Sequence, residues 1–259
     1  MNESMTSTRR PLPAICLAKA RLVPLLASLF CIMVATASAF AAHEKLIYDL
    51  SWTGIKAGSA TQEFFIEKGA IRIVSTARSA DWISAFFPVE DRVESILGSS
   101  SPGQLGLPLN FRMKIREGSH RRDREIIFDH NKGQALYIDH MSGEKTDLTI
   151  EKNTYDPYSS FYYVRRLPLE PGRSVFVSIL DYKQLWTVEV QVLKKERIKT
   201  VLGEVDTILI KPLMKSEGIF QRKGAIFIWL TDDARRIPVM MKTKVAIGSI
   251  TATLVGGNY

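Results

Sequence analysis

From Lys45 onward, polar and apolar positions alternate with period two, and β-branched and aromatic residues fill the apolar slots. This is the pattern of half-buried strands. Leu46–Trp52, Ile55–Glu67 and Ile71–Thr76 are the first three expected strands, turning at Gly54 and at Lys68-Gly69. Ser79–Phe87 reads as a short helix capped by Ser79 and stopped by Pro88. Strand character resumes at Val89–Leu97, and the Ser-, Gly- and Pro-rich stretch Ser99–Pro108 reads as a surface loop. Phe111–Glu117 and His120–Asp129 pair about Gly118-Ser119, and His130–Gly133 turns the chain into Gln134–Asp139.

At Tyr155 the period changes. Asp156 stands as a cap, Pro157 suits the first helical position, and Tyr158, Phe161, Tyr162 and Val164 recur at helical spacing until Pro168. Strands then return as Ser174–Leu180, Leu185–Lys194, Ile198–Val201, Val205–Pro212, Gly224–Leu230, Val239–Ala246 and Ser249–Val255. So many antiparallel strands must curl or close. The expected fold is mainly β: a single large curved antiparallel sheet or incomplete barrel of about a dozen strands, with one long and one short helix packed on it.

The first forty or so residues depart from this pattern. Arg9, Arg10, Lys19 and Arg21 precede an apolar run, Leu22–Ala42, that ends in Ala37-Ser38-Ala39. That is the build of a secretory signal, cleaved after Ala39 or Ala41, so residues 1–41 are expected to be a leader and residues 42–259 one β-rich domain, located in the periplasm. A retained N-terminal anchor is the alternative, since about twenty apolar residues can span a bilayer. Lipidation at Cys31 fits poorly, because Leu29-Phe30 precede it where a small residue is needed. Cys16 and Cys31 both fall in the leader, so no disulfide is available to the rest of the chain. Without the leader's four basic and one acidic residues, the totals of 35 and 27 become 31 and 26, a net charge of about +5. This mild positive charge suits anionic envelope components without requiring nucleic acid.

Candidate chemistry is sparse. No Gly-x-Ser-x-Gly elbow or phosphate-binding loop occurs. His120, His130 and His140 do not converge if the chain turns about Asn131-Lys132, which places residue 140 opposite residue 123, so no metal and no cofactor are expected. Asp156 reads as a helix cap, and Asp232-Asp233-Ala234-Arg235-Arg236 as a self-neutralising turn. A hydrolase working through Asp91 and Asp156 is the enzymatic alternative; a non-enzymatic protein is expected. Arg112, Lys114 and Arg116 alternate with Phe111, Met113 and Ile115. One hairpin register sets Arg112 and Lys114 opposite Glu125 and Asp123; the register shifted by one sets them opposite Arg124 and Arg122 and creates an anion-binding ladder. Trp82, Phe86 and Phe87 of the first helix and Tyr158, Phe161 and Tyr162 of the second either complete a core or cover an apolar ligand cavity.

Four stretches, GSATQ from Gly58, TVLGEVDTILIKP from Thr200, IWLTDDARRIPVMMKTK from Ile228 and above all DPYSSFYYVRRLPLEPG from Asp156, resemble in the same order the bacterial domain-of-unknown-function 3108 family. The resemblance implies an exported, strand-rich protein, similar in fold to the periplasmic carriers of lipoproteins: a curved, unclosed barrel with helices plugging its concave side. It implies no catalytic residue. The expected function is a monomeric periplasmic binding or carrier protein for an apolar or anionic lipid-like ligand, such as a lipid or lipid-linked glycan. The expected ligand contacts are Trp82, Phe86, Phe87, Tyr158, Phe161, Tyr162, Arg112, Lys114 and Arg116. The alternative is a structural module of the envelope that docks another protein through strand edges or its basic face.

Overall fold

Short turns leave each alternating run little choice but to pair with the next, and the chain becomes a meander. The computed structural model describes residues 43–67, 69–98, 105–213, 225–244 and 248–259; the proposed leader lies outside them. In order along the chain come β1 (His43–Trp52), β2 (Ile55–Glu67), β3 (Ala70–Ser79), α1 (Asp81–Ser84), β4 (Glu90–Leu97), β5 (Pro108–Glu117), β6 (His120–Asp129), β7 (Gln134–Asp139) and β8 (Lys145–Thr149). They are followed by β9 (Thr154–Tyr155), α2 (Pro157–Val164), β10 (Ser174–Asp181), β11 (Gln184–Thr200), β12 (Gly203–Leu213), β13 (Ile226–Thr231), β14 (Pro238–Lys244) and β15 (Ser249–Asn258).

All 15 strands form one sheet, in which β1 pairs with β15 and the two edges, β8 and β9, are consecutive in sequence. Every pairing is antiparallel except the short parallel contact of β9 with β10. The sheet is therefore a curved wall left open at one seam, as the hydrophobic pattern predicts. Side chains bridge the seam from the β10–β11 turn. Lys183 Nζ lies 2.5 Å from Glu144 Oε1, and the Tyr182 ring stands edge-on to Tyr137 and receives the Arg124 guanidinium at 4.3 Å. The edge strand β8, with sequence KTDLT, alternates between exposed and half-buried positions. Its charges guard an edge that would otherwise recruit another strand.

The structure adds β8 and β9 to the expected strands, while two expected runs merge into the 17-residue β11, which continues through a bulge between Val192 and Lys194. The first helix is shorter than expected, a single turn whose N-cap is Ala80 without a side-chain bond. Ser79 instead bonds Ser84 Oγ and the Val89 amide. The second helix is also shorter than expected, ending at Val164 rather than near Pro168.

α2 follows β9 into the concave side of the sheet, and burial claims it on several faces at once: Ser159, Ser160, Tyr162 and Val164 are all buried. A helix so placed must satisfy its polar groups locally. Asp156 does this at the start, accepting from the amides of Tyr158 and Ser159 at 2.8 and 2.9 Å and from the hydroxyls of Ser95 and Ser159 at 2.6 Å each. At the other end Arg165, only 2% exposed, donates to both carboxylate oxygens of Glu44 on β1 at 2.8 and 2.7 Å and to the carbonyls of Arg236 and Arg235. Tyr162 donates to the same carboxylate and stacks on Phe64 of β2.

Removing one partner of a buried ion pair strands the other charge. Arg165→Met should lower unfolding free energy by about 3 to 5 kcal/mol, while Glu44→Leu combined with Arg165→Met should recover much of that loss; urea titrations of the two single variants and the double variant measure it. Asp156→Ala removes a cap and also leaves the Ser95 hydroxyl without its acceptor, so the same titration should show a loss near the upper end of cap effects, about 2 kcal/mol.

Candidate functional site

Between α2 and the sheet lies a partly open cavity of about 260 Å³. Period-two alternation builds most of its wall: Val177 on β10, Val188 and Val190 on β11, Ile210 on β12 and Ile228 on β13 all point inward. The helix contributes Tyr158, Phe161 and Val164, and the opposite wall brings Ala60 and Gln62 of β2 and Ser75 of β3. Among the described residues, the lining holds no Lys, Arg, Asp or Glu. Such a chamber is suited to apolar chains and offers few groups for bond-breaking chemistry.

Its polar lining is uncharged, from Tyr48, Thr61, Gln62, Ser75, Tyr158 and Ser160, and three of these adjoin one another. Gln62 and Ser75 face each other across the β2–β3 pairing, on the inner side of the sheet. Burial pushes the Tyr158 phenol up to about 12, against the pull of Ser75, with the Asp91 and Asp156 carboxylates adding to the rise. Gln62 was missed by pattern reading, which treats a polar residue in a strand as outward. The available signal was its register: it occupies the same parity as Ala60 and buried Phe64.

The expected contact residues divide into three groups. Tyr158 and Phe161 line the cavity, whereas Tyr162 turns to Phe64 and Glu44. Trp82, Phe86 and Phe87 are 46%, 66% and 40% exposed, on and just beyond the single turn of α1; the Trp82 indole donates to the Lys56 carbonyl. These three do not line the cavity. Arg112, Lys114 and Arg116 sit on strand positions opposite in parity to buried Phe111, Met113 and Ile115, hence on the outer face. The hairpin takes the neutral register, Arg112 opposite Glu125 and Lys114 opposite Asp123. Glu117 and His120 flank a two-residue loop whose first residue, Gly118, has φ +56°, the conformation that a glycine-first hairpin turn requires. Arg112 makes a forked contact to Asp123 at 3.1 Å, and Arg116 lies 3.6 Å from Glu90. The carboxylates across the strand thus take up this basic face.

His140 contacts Glu125 and its amide bonds the Asp123 carbonyl, the neighbour that the turn geometry demands. His130 contacts the Pro108 carbonyl. Among the described residues no group of three His, Cys, Asp or Glu is arranged to hold a metal ion. In the Asp232–Arg236 turn, Arg235 pairs with Asp233 and Arg236 with Asp232, each at 3.1 Å.

Asp91 has the parity of buried Val93 and Ser95 on β4. Burial, opposed by the Arg116 amide and Arg122 and aided by Glu117, raises its carboxyl from 3.8 to about 6. Asp156 is also raised by burial, against its four donors.

A family model described as "Protein of unknown function (DUF3108)" matches residues 47–255. No curated protein matches the chain. Among solved structures, the crystal structure of a beta-barrel-like protein of domain of unknown function DUF1849 from Brucella abortus is similar, with 13% identity and a TM-score of 0.55 over 84% of this chain and 97% of that one. At this identity the likeness concerns the fold alone.

The folded state holds the Asp91 proton more tightly than the unfolded chain does. Its stabilising contribution is therefore complete below 3.8 and lost as pH rises through about 6. Asp91→Asn should remove this loss, so the stability difference between variant and wild type should grow in the variant's favour from pH 4 to about 7; urea unfolding across that range tests the sign.

Proposed function

The chain belongs to the DUF3108 family, and on that premise we propose that it is an exported, periplasmic, non-enzymatic binding or carrier protein whose ligand is an apolar, lipid-like chain. The cavity between α2 and β10–β13 carries this proposal. An apolar chamber that water can enter leaves wetted hydrophobic wall behind, and an apolar chain that replaces the water gains roughly 25 cal/mol for each Å² covered. Export is inferred from the leader composition in residues 1–41, which lie outside the described residues.

The non-enzymatic assignment is supported by how the polar groups are used. Asp156 is spent on capping α2, and the Asp232–Arg236 cluster pairs within itself. Because both ends of α2 are held in buried polar contacts, the helix is best suited to act as a fixed wall of the cavity. An anionic head group would find the Arg112–Lys114 face on the far side of the sheet and already paired.

One observation favours a protein-docking role instead: the exposed aromatics Trp82 and Phe86 lie beside one another, with the Trp82 indole on the Lys56 carbonyl near the start of β2. Crosslinking in intact cells through Phe86 should trap a defined envelope protein if docking is the function.

Native mass spectrometry of protein purified from its own envelope, followed by extraction, should find a bound chain. Phe161→Ala should change the amount retained while costing less than the 3 to 5 kcal/mol typical of a closed core, about 1 to 2 kcal/mol. An empty wild-type protein that takes up no added lipid would exclude the carrier function.

A further inference from the structure

Gln62 is the anomaly of the cavity. It is only 8% exposed and lines the chamber, yet its amide makes no side-chain hydrogen bond to any described residue. Its amide is not one of the fully sealed, unpartnered polar groups of the described residues, and the cavity is the space beside it. Buried amides are almost always bonded, and leaving one open to a chamber of apolar residues makes sense where something else arrives to bond it.

We propose that Gln62 is the head-group anchor of the cavity and that its ligand is a single apolar chain ending in an uncharged hydrogen-bonding group, an ester or amide carbonyl or a hydroxyl. This deepens the carrier function and rests on it. An amide offers two donors and an acceptor, so it can bond a carbonyl or a hydroxyl head with equal ease. Ser75, directly across the β2–β3 pairing, and the Tyr158 phenol beside it extend the polar spot. A carboxylate or phosphate head is poorly served there. The described lining supplies no cation; the Asp91 and Asp156 carboxyls act on the Tyr158 phenol, and at the other lining phenol, Tyr48, the Arg165 guanidinium is offset by its Glu44 partner. A charged head would shed its water without a compensating partner. Size sets the tail: about 260 Å³ is under twice the ~150 Å³ that accommodates one benzene, which suits one chain and not two.

The test uses the full exported chain and three probes of equal length, decanamide, decanol and decanoate, titrated at pH 8 by calorimetry or native mass spectrometry. Wild type should bind decanamide and decanol at least about tenfold more tightly than decanoate. Gln62→Leu, close in volume and apolar, should weaken decanamide by about three- to tenfold, with decanoate little changed. Gln62→Met repeats the measurement should the leucine variant fold poorly. Equal affinity of wild type for all three probes, or unchanged decanamide binding by a folded Gln62 variant, would overturn the anchor while leaving the carrier function standing. If no probe binds wild type at all, the carrier function falls as well.

Discussion

The contact on which the rest depends is the buried pair of Glu44 and Arg165, because it joins three parts of the chain that are distant in sequence. Glu44 belongs to the first strand, Arg165 to the end of the inner helix, and the carbonyls of Arg235 and Arg236 to the turn before β14. A guanidinium at this depth is tolerable only with most of its donors occupied. Burial works against its charge, and the Glu44 carboxylate outweighs burial and holds it ionised. Tyr48 and Tyr162 close the surroundings, the first donating to the Pro238 carbonyl and the second to Glu44. Apolar packing could hold the helix almost as firmly. What the pair adds is position, since guanidinium and carboxylate meet in two parallel bonds only in one arrangement.

That position creates the cavity. An α-helix is about 10 Å across with its side chains, and a wall of 15 strands encloses more space than one short helix fills. Asp156 fixes the start of the helix against β4, and Arg165 fixes its end against β1. The helix cannot slide toward β10–β13 to collapse the remaining volume. Apolar clusters fill the two flanks, around Phe111, Phe128 and Tyr137 on one side and around Leu46, Val239 and Leu254 on another. The unfilled part faces Val188, Ile210 and Ile228.

Charge follows a different rule on the two faces of the wall. Outside, basic residues meet acids across strands, as Arg112 does with Asp123 and Lys45 with Glu63 at 2.7 Å; exposed pairs of this kind contribute little stability. Inside, charges sit at the margins: Arg124 bonds Asp139 near the seam, and Asp91 holds its proton to a higher pH than usual. The chamber between these margins is lined mainly by hydrocarbon, with uncharged polar groups from Gln62, Ser75 and Tyr158 among its described residues.

The amino-acid sequence by itself determined the hairpin meander, the mainly β class and the start of α2. These depend on contacts between near neighbours: alternation about Gly118 and Gly133, and Asp156-Pro157 at a helix start. Even the neutral register of the basic hairpin is local, a consequence of a two-residue turn, though two registers fitted until the backbone of Gly118 chose one. Only the tertiary structure decided the rest. β8 carries no apolar run and β9 is two residues long, so both exist through their partners. Trp82, Phe86 and Phe87 look like core residues in a linear pattern, but one helical turn at the end of the sheet cannot tuck all three under it. Glu44 and Arg165 are 121 residues apart and read as surface charges until the sheet curls. Gln62 likewise reads as one more polar strand residue. Whether a polar group is buried, paired or left facing a cavity depends on what the folded chain brings opposite it, and no local pattern contains that information.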